Sequence, residues 1–167
     1  MRIYLVGYMY SGKSTVGRLL AKMLGLEYID LDALFEQRYK ISVYDFFARY
    51  DEAAFRTLEH ETLLSTANCD NCVISTGGGT PCFLGNMDFI KAHGTSIYLK
   101  ASVGTIVNRH ANSKKRRPLL AGLSPDELRE FVVRQLSERS PFYCLADYCF
   151  DAENISVKEI CQAMGRF

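Results

Sequence analysis

Gly7-Tyr8-Met9-Tyr10-Ser11-Gly12-Lys13-Ser14-Thr15 is the stretch whose reading decides the fold. It spells G-x-x-x-x-G-K-S, a phosphate-binding loop pattern that carries weight only between a strand and a helix. Both flanks are present. Ile3-Tyr4-Leu5-Val6 is a short apolar run suited to a buried parallel strand. Behind the loop, Val16, Leu19, Leu20, Met23 and Leu24 fall on one helix face, and Gly25 stands where a C-cap belongs. The physics of such a loop is direct. Backbone N–H groups in a glycine-rich turn form an anion nest, and the helix N-terminus adds partial positive charge. Lys13 can reach terminal phosphates, and the Ser14 hydroxyl can ligate Mg²⁺.

The rest of the chain bounds what surrounds this loop. Its 167 residues fit one domain, residues 1–167, with a substantial core. A net charge of +1 gives no global basic field, so nucleic acid is not an expected partner. No apolar run reaches membrane-span length, so no membrane is expected either. The motif begins at residue seven, leaving no room for a targeting segment, and a cytoplasmic location is the expectation. Cys69-Asp-Asn-Cys72 is a lone C-x-x-C. It is half of a zinc site or a redox pair, or else a polar turn leading into a strand. A structural zinc site needs four ligands, and no second pair follows. His60, His93 and His110 have no metal spacing and read as surface residues.

Taken in order, five short apolar runs alternate with helical ones: residues 2–6, 27–29, 72–75, 96–99 and 148–150 as strands. Helices are predicted over 13–24, from Leu34 towards Tyr39, after Ser42, over 51–67, around 84–92, after Ser102 to near Arg109, and over 156–166. Ser124-Pro125-Asp126-Glu127 is a capping-box helix start, with Pro141 ending or kinking that helix. This alternation implies an α/β fold, a parallel sheet covered on both faces. Ligands then sit beyond the carboxyl ends of the strands. Gly7, Asp30 and Gly77 close the first three strands, so three unusual sequences meet at one edge.

Several residues there invite chemistry. Asp30 and Asp32, two apart, share a face if the chain is extended. One could hold the water shell of a magnesium ion and the other an attacking hydroxyl; alternatively they simply decorate a helix N-terminus. Arg56 lies a turn from Glu52 and Glu59, as a solvated ion-pair face or as a clamp for a substrate carboxylate. Gly77-Gly78-Gly79 exposes bare backbone for close approach of a ligand. Lys114-Lys115-Arg116-Arg117-Pro118 belongs to a long basic segment, either a solvated loop or a lid, about 110–123, that closes an arginine over a phosphate. Arg109 could stack on a nucleotide base. Tyr8, Met9 and Tyr10 are bulky for a phosphate loop and fit if they point away from the phosphates.

In combination the pieces resemble the shikimate kinase family. The matching stretches are Gly7–Thr15, Ile29-Asp-Leu-Asp32, Phe55-Arg-Thr-Leu-Glu59, Thr76-Gly-Gly-Gly79, Arg117-Pro-Leu-Leu120 and Arg139-Ser-Pro-Phe-Tyr143, in the family's order over nearly the whole chain. The P-loop is generic, whereas the combination is specific. After Tyr143 the chain departs from the family in lacking a glutamate.

The resemblance implies a five-stranded parallel sheet in a P-loop kinase three-layer α/β/α sandwich, nucleoside-monophosphate-kinase-like, monomeric, with a mobile lid and a substrate-binding helical region about 31–62. It implies transfer of the ATP γ-phosphate to the 3-hydroxyl of shikimate. Lys13, Asp32 and Arg117 would be catalytic. Gly7, Ser11, Gly12, Lys13, Ser14, Thr15, Arg109 and Arg117 would bind ATP. Asp32, Phe47, Phe55, Arg56, Gly77, Gly78, Gly79 and Arg139 would bind shikimate. Ser14 would ligate Mg²⁺, with Asp30 nearby through water. A gluconate or nucleoside-monophosphate kinase, or a nucleotide-binding regulator without turnover, are the competing readings.

Overall fold

The computed structural model describes residues 1–114, 117 and 120–166. Five strands, β1 (Arg2–Val6), β2 (Glu27–Asp30), β3 (Cys72–Ser75), β4 (Thr95–Lys100) and β5 (Tyr148–Asp151), form one sheet in the order β2-β3-β1-β4-β5. Every neighbouring pair is parallel. From β1 the chain first builds β2 and β3 on one side, then crosses to build β4 and β5 on the other. The loop after β1 therefore opens at the middle of the carboxyl edge, where ligands of such sheets bind. The register aligns Leu5 and Asp30 with Ser75, so the ends of β1, β2 and β3 lie level. Ile3, Tyr4, Leu5 and Val6 have no more than 0% exposure, as the apolar run requires of a central strand covered on both faces.

Eight helices are described: α1 (Lys13–Leu24), α2 (Leu31–Tyr39), α3 (Val43–Arg49), α4 (Glu52–Ser65), α5 (Asn86–His93), α6 (Val103–Ala111), α7 (Pro125–Tyr143) and α8 (Val157–Ala163). α1 packs on β2 and β3 and against α8, while α5 packs on β4. Side-chain caps explain most starts: Ser42, Asp51 and Ser102 each accept a backbone N–H three residues on, and Ser124 with Glu127 forms the full capping box.

Many boundaries shift by one to three residues from the sequence reading, and two of the differences bear on the site. α2 starts at Leu31 rather than Leu34, because the Asp30 carboxylate accepts the N–H groups of Asp32 and Ala33 and caps it directly. α7 runs through Pro141 to Tyr143, so the proline does not end it.

The core has two parts. The larger lies on both faces of the sheet. The smaller is an aromatic cluster of Phe35, Phe46 and Phe55 beneath α2, α3 and α4, with Phe47 packed against it. Its ring centroids lie 5.1 to 6.0 Å apart, the tilted and edge-on arrangements that aromatic quadrupoles favour. This second cluster carries a helical unit above the carboxyl edge of the sheet.

Candidate active site

The loop after β1 is built by backbone conformation. Gly7 and Gly12 have φ of 145° and 90°, in the region that L side chains rarely adopt. A Cβ on Gly7 would lie 2.6 Å from the Leu99 carbonyl oxygen. Gly12 is the N-cap of α1 and offers no side-chain acceptor, so no side chain of the cap satisfies the first-turn N–H groups. Together these features make an anion site at a helix N-terminus. Lys13 is buried, and its Nζ donates to the carbonyls of Gly7 (2.7 Å) and Tyr8 (2.8 Å). Burial, reinforced by Arg117, pulls its pKa down to about 7. Ser75 fixes the start of α1 by donating its hydroxyl to the Lys13 carbonyl (3.0 Å).

Asp30 divides its oxygens between two tasks. Oδ1 caps α2, while Oδ2 accepts from the Ser14 hydroxyl (3.3 Å) and the Tyr28 hydroxyl (3.4 Å). A hydroxyl and a carboxylate so placed are hard oxygen donors that suit Mg²⁺ or its water shell. Asp32 sits in the first turn of α2, not in extended chain. Of the two readings left open by spacing, the shared strand face is not formed, and both aspartates stand at the N-terminus of α2. Asp32 nevertheless lines the site.

Two cavities meet here. One, of about 160 Å³, follows the phosphate loop and is lined by Lys13, Ser14, Thr15 and Asp30. The other, of about 90 Å³, lies under the helical unit and is lined by Phe47, Phe55, Arg56 and Arg139. Met9, Asp32, Gly77, Gly78 and Arg117 line both and form the wall between them.

Arg56 is buried, so the solvated ion-pair reading fails although both ion pairs exist. Its Nη1 donates to Glu59 (2.9 Å), and its Nε and Nη2 to Glu52 (3.3 and 3.1 Å). The guanidinium also lies 4.3 Å from the Phe83 ring centroid. Glu59 is buried as well. Burial pushes its carboxyl up, opposed by Arg56 and by the Thr80 hydroxyl that donates to it (2.8 Å). Arg139 is buried beside the Tyr8 ring, at 5.7 Å.

The glycines make room for these groups. A Cβ on Gly79 would lie 2.5 Å from Arg56 Nη2, and one on Gly77 2.9 Å from the Thr80 hydroxyl. The Gly78 carbonyl accepts from the Tyr143 hydroxyl. Glu59, Val43 and Met9 also line the second cavity, and the sequence reading placed none of them among the binding residues. The ion-pair spacing of Glu59 to Arg56 was the signal that could have found the first.

Arg117 stands at the junction of the cavities, with its buried Nε lacking a hydrogen-bond partner among the described residues. Lys115, Arg116, Pro118 and Leu119, which belong to the basic stretch and the R-P-L-L match, lie outside the described residues. Arg109 lines a third cleft with Ser11, Gly12, Thr15, Ala152 and Ile155, while His110 turns instead towards Tyr10. Of the bulky loop residues, Tyr8 points away, with its hydroxyl on Gln135. Met9 and Tyr10 both line the phosphate cavity, and the Tyr10 hydroxyl lies 3.1 Å from His110 Nδ1. His60 and His110 are half-buried with partners rather than plain surface residues, His60 meeting Asn86.

A cavity along a phosphate loop that shares a wall with a second cavity holding two buried guanidiniums suits transfer of a phosphoryl group between two small molecules. On this sheet, with this loop, that places the chain in the class of ATP-dependent P-loop kinases of small molecules. A family model described as Shikimate kinase matches residues 9–166, and the chain belongs to that family.

Among its relatives is the shikimate kinase of Parabacteroides distasonis, 48% identical over 92% of this chain and 89% of that protein. Similar solved structures include the shikimate kinase of Bacteroides thetaiotaomicron, with a TM-score of 0.94 and 37% identity over 99% of this chain and 98% of that one. The shikimate kinase of Acinetobacter baumannii, solved in complex with shikimate, gives a TM-score of 0.87 and 32% identity over 99% and 90%.

Proposed function

We propose that the acceptor cavity binds shikimate and that its 3-hydroxyl takes the γ-phosphate of ATP, giving shikimate 3-phosphate and ADP on the route to chorismate and the aromatic amino acids. The observation that carries this reading is the pair of buried guanidiniums, Arg56 and Arg139, in a cavity walled off from the phosphate loop by only five residues. Planar guanidiniums match a carboxylate by paired, charge-assisted hydrogen bonds.

Phe47 and Phe55 wall the ring of the substrate, and the Gly77–Gly79 backbone lets it approach. Asp32, on the shared wall, accepts a hydrogen bond from the attacking hydroxyl. In a loose transition state that orientation matters more than base strength. The oxygen–phosphorus bond to the acceptor forms as the bond to the ADP oxygen breaks, and the hydroxyl proton leaves towards Asp32. Lys13, the α1 N-terminus and Arg117 balance charge on the phosphates. Ser14 and the Asp30-held water shell would carry Mg²⁺, which supplies neutralisation of the β- and γ-phosphate oxygens when bound. The cleft of Arg109, Ala152 and Ile155 supports a nucleobase site, with Arg109 rather than His110 facing the base.

We read the chain as one kinase domain, a monomer of the cytoplasm, with a lid over about 110–123 and a substrate-binding helical region over about 31–62. No described helix is long and apolar enough to cross a membrane, and neither membrane nor nucleic acid is a proposed partner.

An ADP-release assay tests the reading. Shikimate should support turnover, and gluconate or nucleoside monophosphates should not. Arg56→Ala should raise the shikimate KM by about a hundredfold, the order of one lost charge-assisted pair, and leave the ATP KM nearly unchanged. An unchanged shikimate KM would remove Arg56 from the carboxylate site.

A further inference from the structure

Tyr10 sits inside the phosphate loop at φ 64°, a left-handed conformation that is an outlier for a bulky side chain. Three basic side chains of the 109–117 region converge on it. Arg109 Nη1 donates to its carbonyl at 2.7 Å. The His110 Nδ1 lies 3.1 Å from its hydroxyl, and the two rings meet edge-on at 5.6 Å. The Arg117 guanidinium carbon lies 5.1 Å from its ring centroid. Held at one end by Arg109 and at the other by His110, the ring offers its face to Arg117, within the range of a cation–π contact.

We propose that Tyr10 is a positioning residue for Arg117: the phosphate loop itself carries the aromatic platform that sets the arginine over the wall between donor and acceptor cavities. The strained backbone fits this role, because strain persists where surrounding contacts over-determine it. The inference rests on Arg117 acting on the transferring phosphate.

Steady-state kinetics on the full chain test it, with Tyr10→Gly, Tyr10→Phe, Arg117→Ala and the double variant Tyr10→Gly with Arg117→Ala. Glycine accepts the φ of this site, so the loop keeps its shape. Tyr10→Gly should lower kcat about tenfold, the order of one partly desolvated cation–π contact. The shikimate KM should stay within about twofold, since Tyr10 does not line the acceptor cavity. Tyr10→Phe keeps the platform and should restore most of the loss.

Arg117→Ala should lower kcat further, and adding Tyr10→Gly to it should cost less than about twofold more, because the two act through one contact. A full second loss in the double variant, or an unchanged kcat for Tyr10→Gly, overturns the role of Tyr10 alone. An unchanged kcat for Arg117→Ala overturns the reading of Arg117 and the platform with it. If Tyr10→Gly melts early, Tyr10→Asn, whose side chain tolerates the left-handed region, carries the same comparison.

Discussion

Lys13 holds its ammonium against two loop carbonyls, and burial brings its pKa to about 7. A bound triphosphate sets negative charge beside that ammonium and raises its pKa. At pH 8 the free protein holds this group mostly neutral and the complex holds it charged, so ATP binding takes up protons. Calorimetry at pH 8 in buffers of different ionisation enthalpy should report an uptake approaching about one proton, absent in Lys13→Met. Net release in the parent protein would refute the assignment.

Gly79 makes a different claim. Its missing Cβ is the space that Arg56 occupies, so Gly79→Ala should raise the shikimate KM at least about tenfold by displacing the guanidinium, with the ATP KM little changed. Equal effects on both KM values would point to general distortion of the loop. At this scale the sequence was most legible where one residue type does one job. Lys13, Ser14 and the loop glycines declare themselves by spacing alone. Arg56 did not, because its spacing to Glu52 and Glu59 suits an exposed ion-pair face as well as a buried guanidinium. What decides is the packing of Phe83 and Gly79 around it, contacts far away in sequence.

Among the elements, α2, α3 and α4 share an aromatic cluster distinct from the core of the sheet, to which α2 and α4 also give Leu31 and Leu63. Phe46→Ala removes the 5%-exposed ring that touches both Phe35 and Phe55. Loss of so large a buried ring costs about 3–5 kcal/mol when neighbours do not collapse into the gap. Phe47, Phe55 and Arg56 are set by this unit, while Lys13 and Ser14 are not. The expected result is a lower melting temperature, weakened shikimate binding and ATP binding close to that of the parent. Hydrogen exchange in α3 and α4 should quicken more than in β1 and β3.

All five strands and the capping box at Ser124 were readable, because they rest on local pattern and local hydrogen bonds. The start of α2 was misjudged by three residues: Asp30 reads equally as a strand end and as a cap, and here it is both. Local pattern left Pro141 either ending or kinking its helix, and α7 continues through it to Tyr143.

For the whole molecule, strand order does most of the work. Interleaving β3 between β2 and β1 brings Gly7, Asp30 and Gly77 to one level edge, although they are spread over the first half of the chain. Alternation of strands and helices announced the fold class, and the level edge followed from it. The two-cavity arrangement did not, because a cavity is the space left by many side chains at once.

The wall of Met9, Asp32, Gly77, Gly78 and Arg117 between those cavities has a consequence for molecules made to fit them. On the proposed function, a single ligand joining a carboxylated polyol to a polyphosphate would occupy two cavities that share lining residues. Its second half would dock at the millimolar effective concentrations typical of a short tether, so two weak fragments joined there would bind far more tightly than either alone.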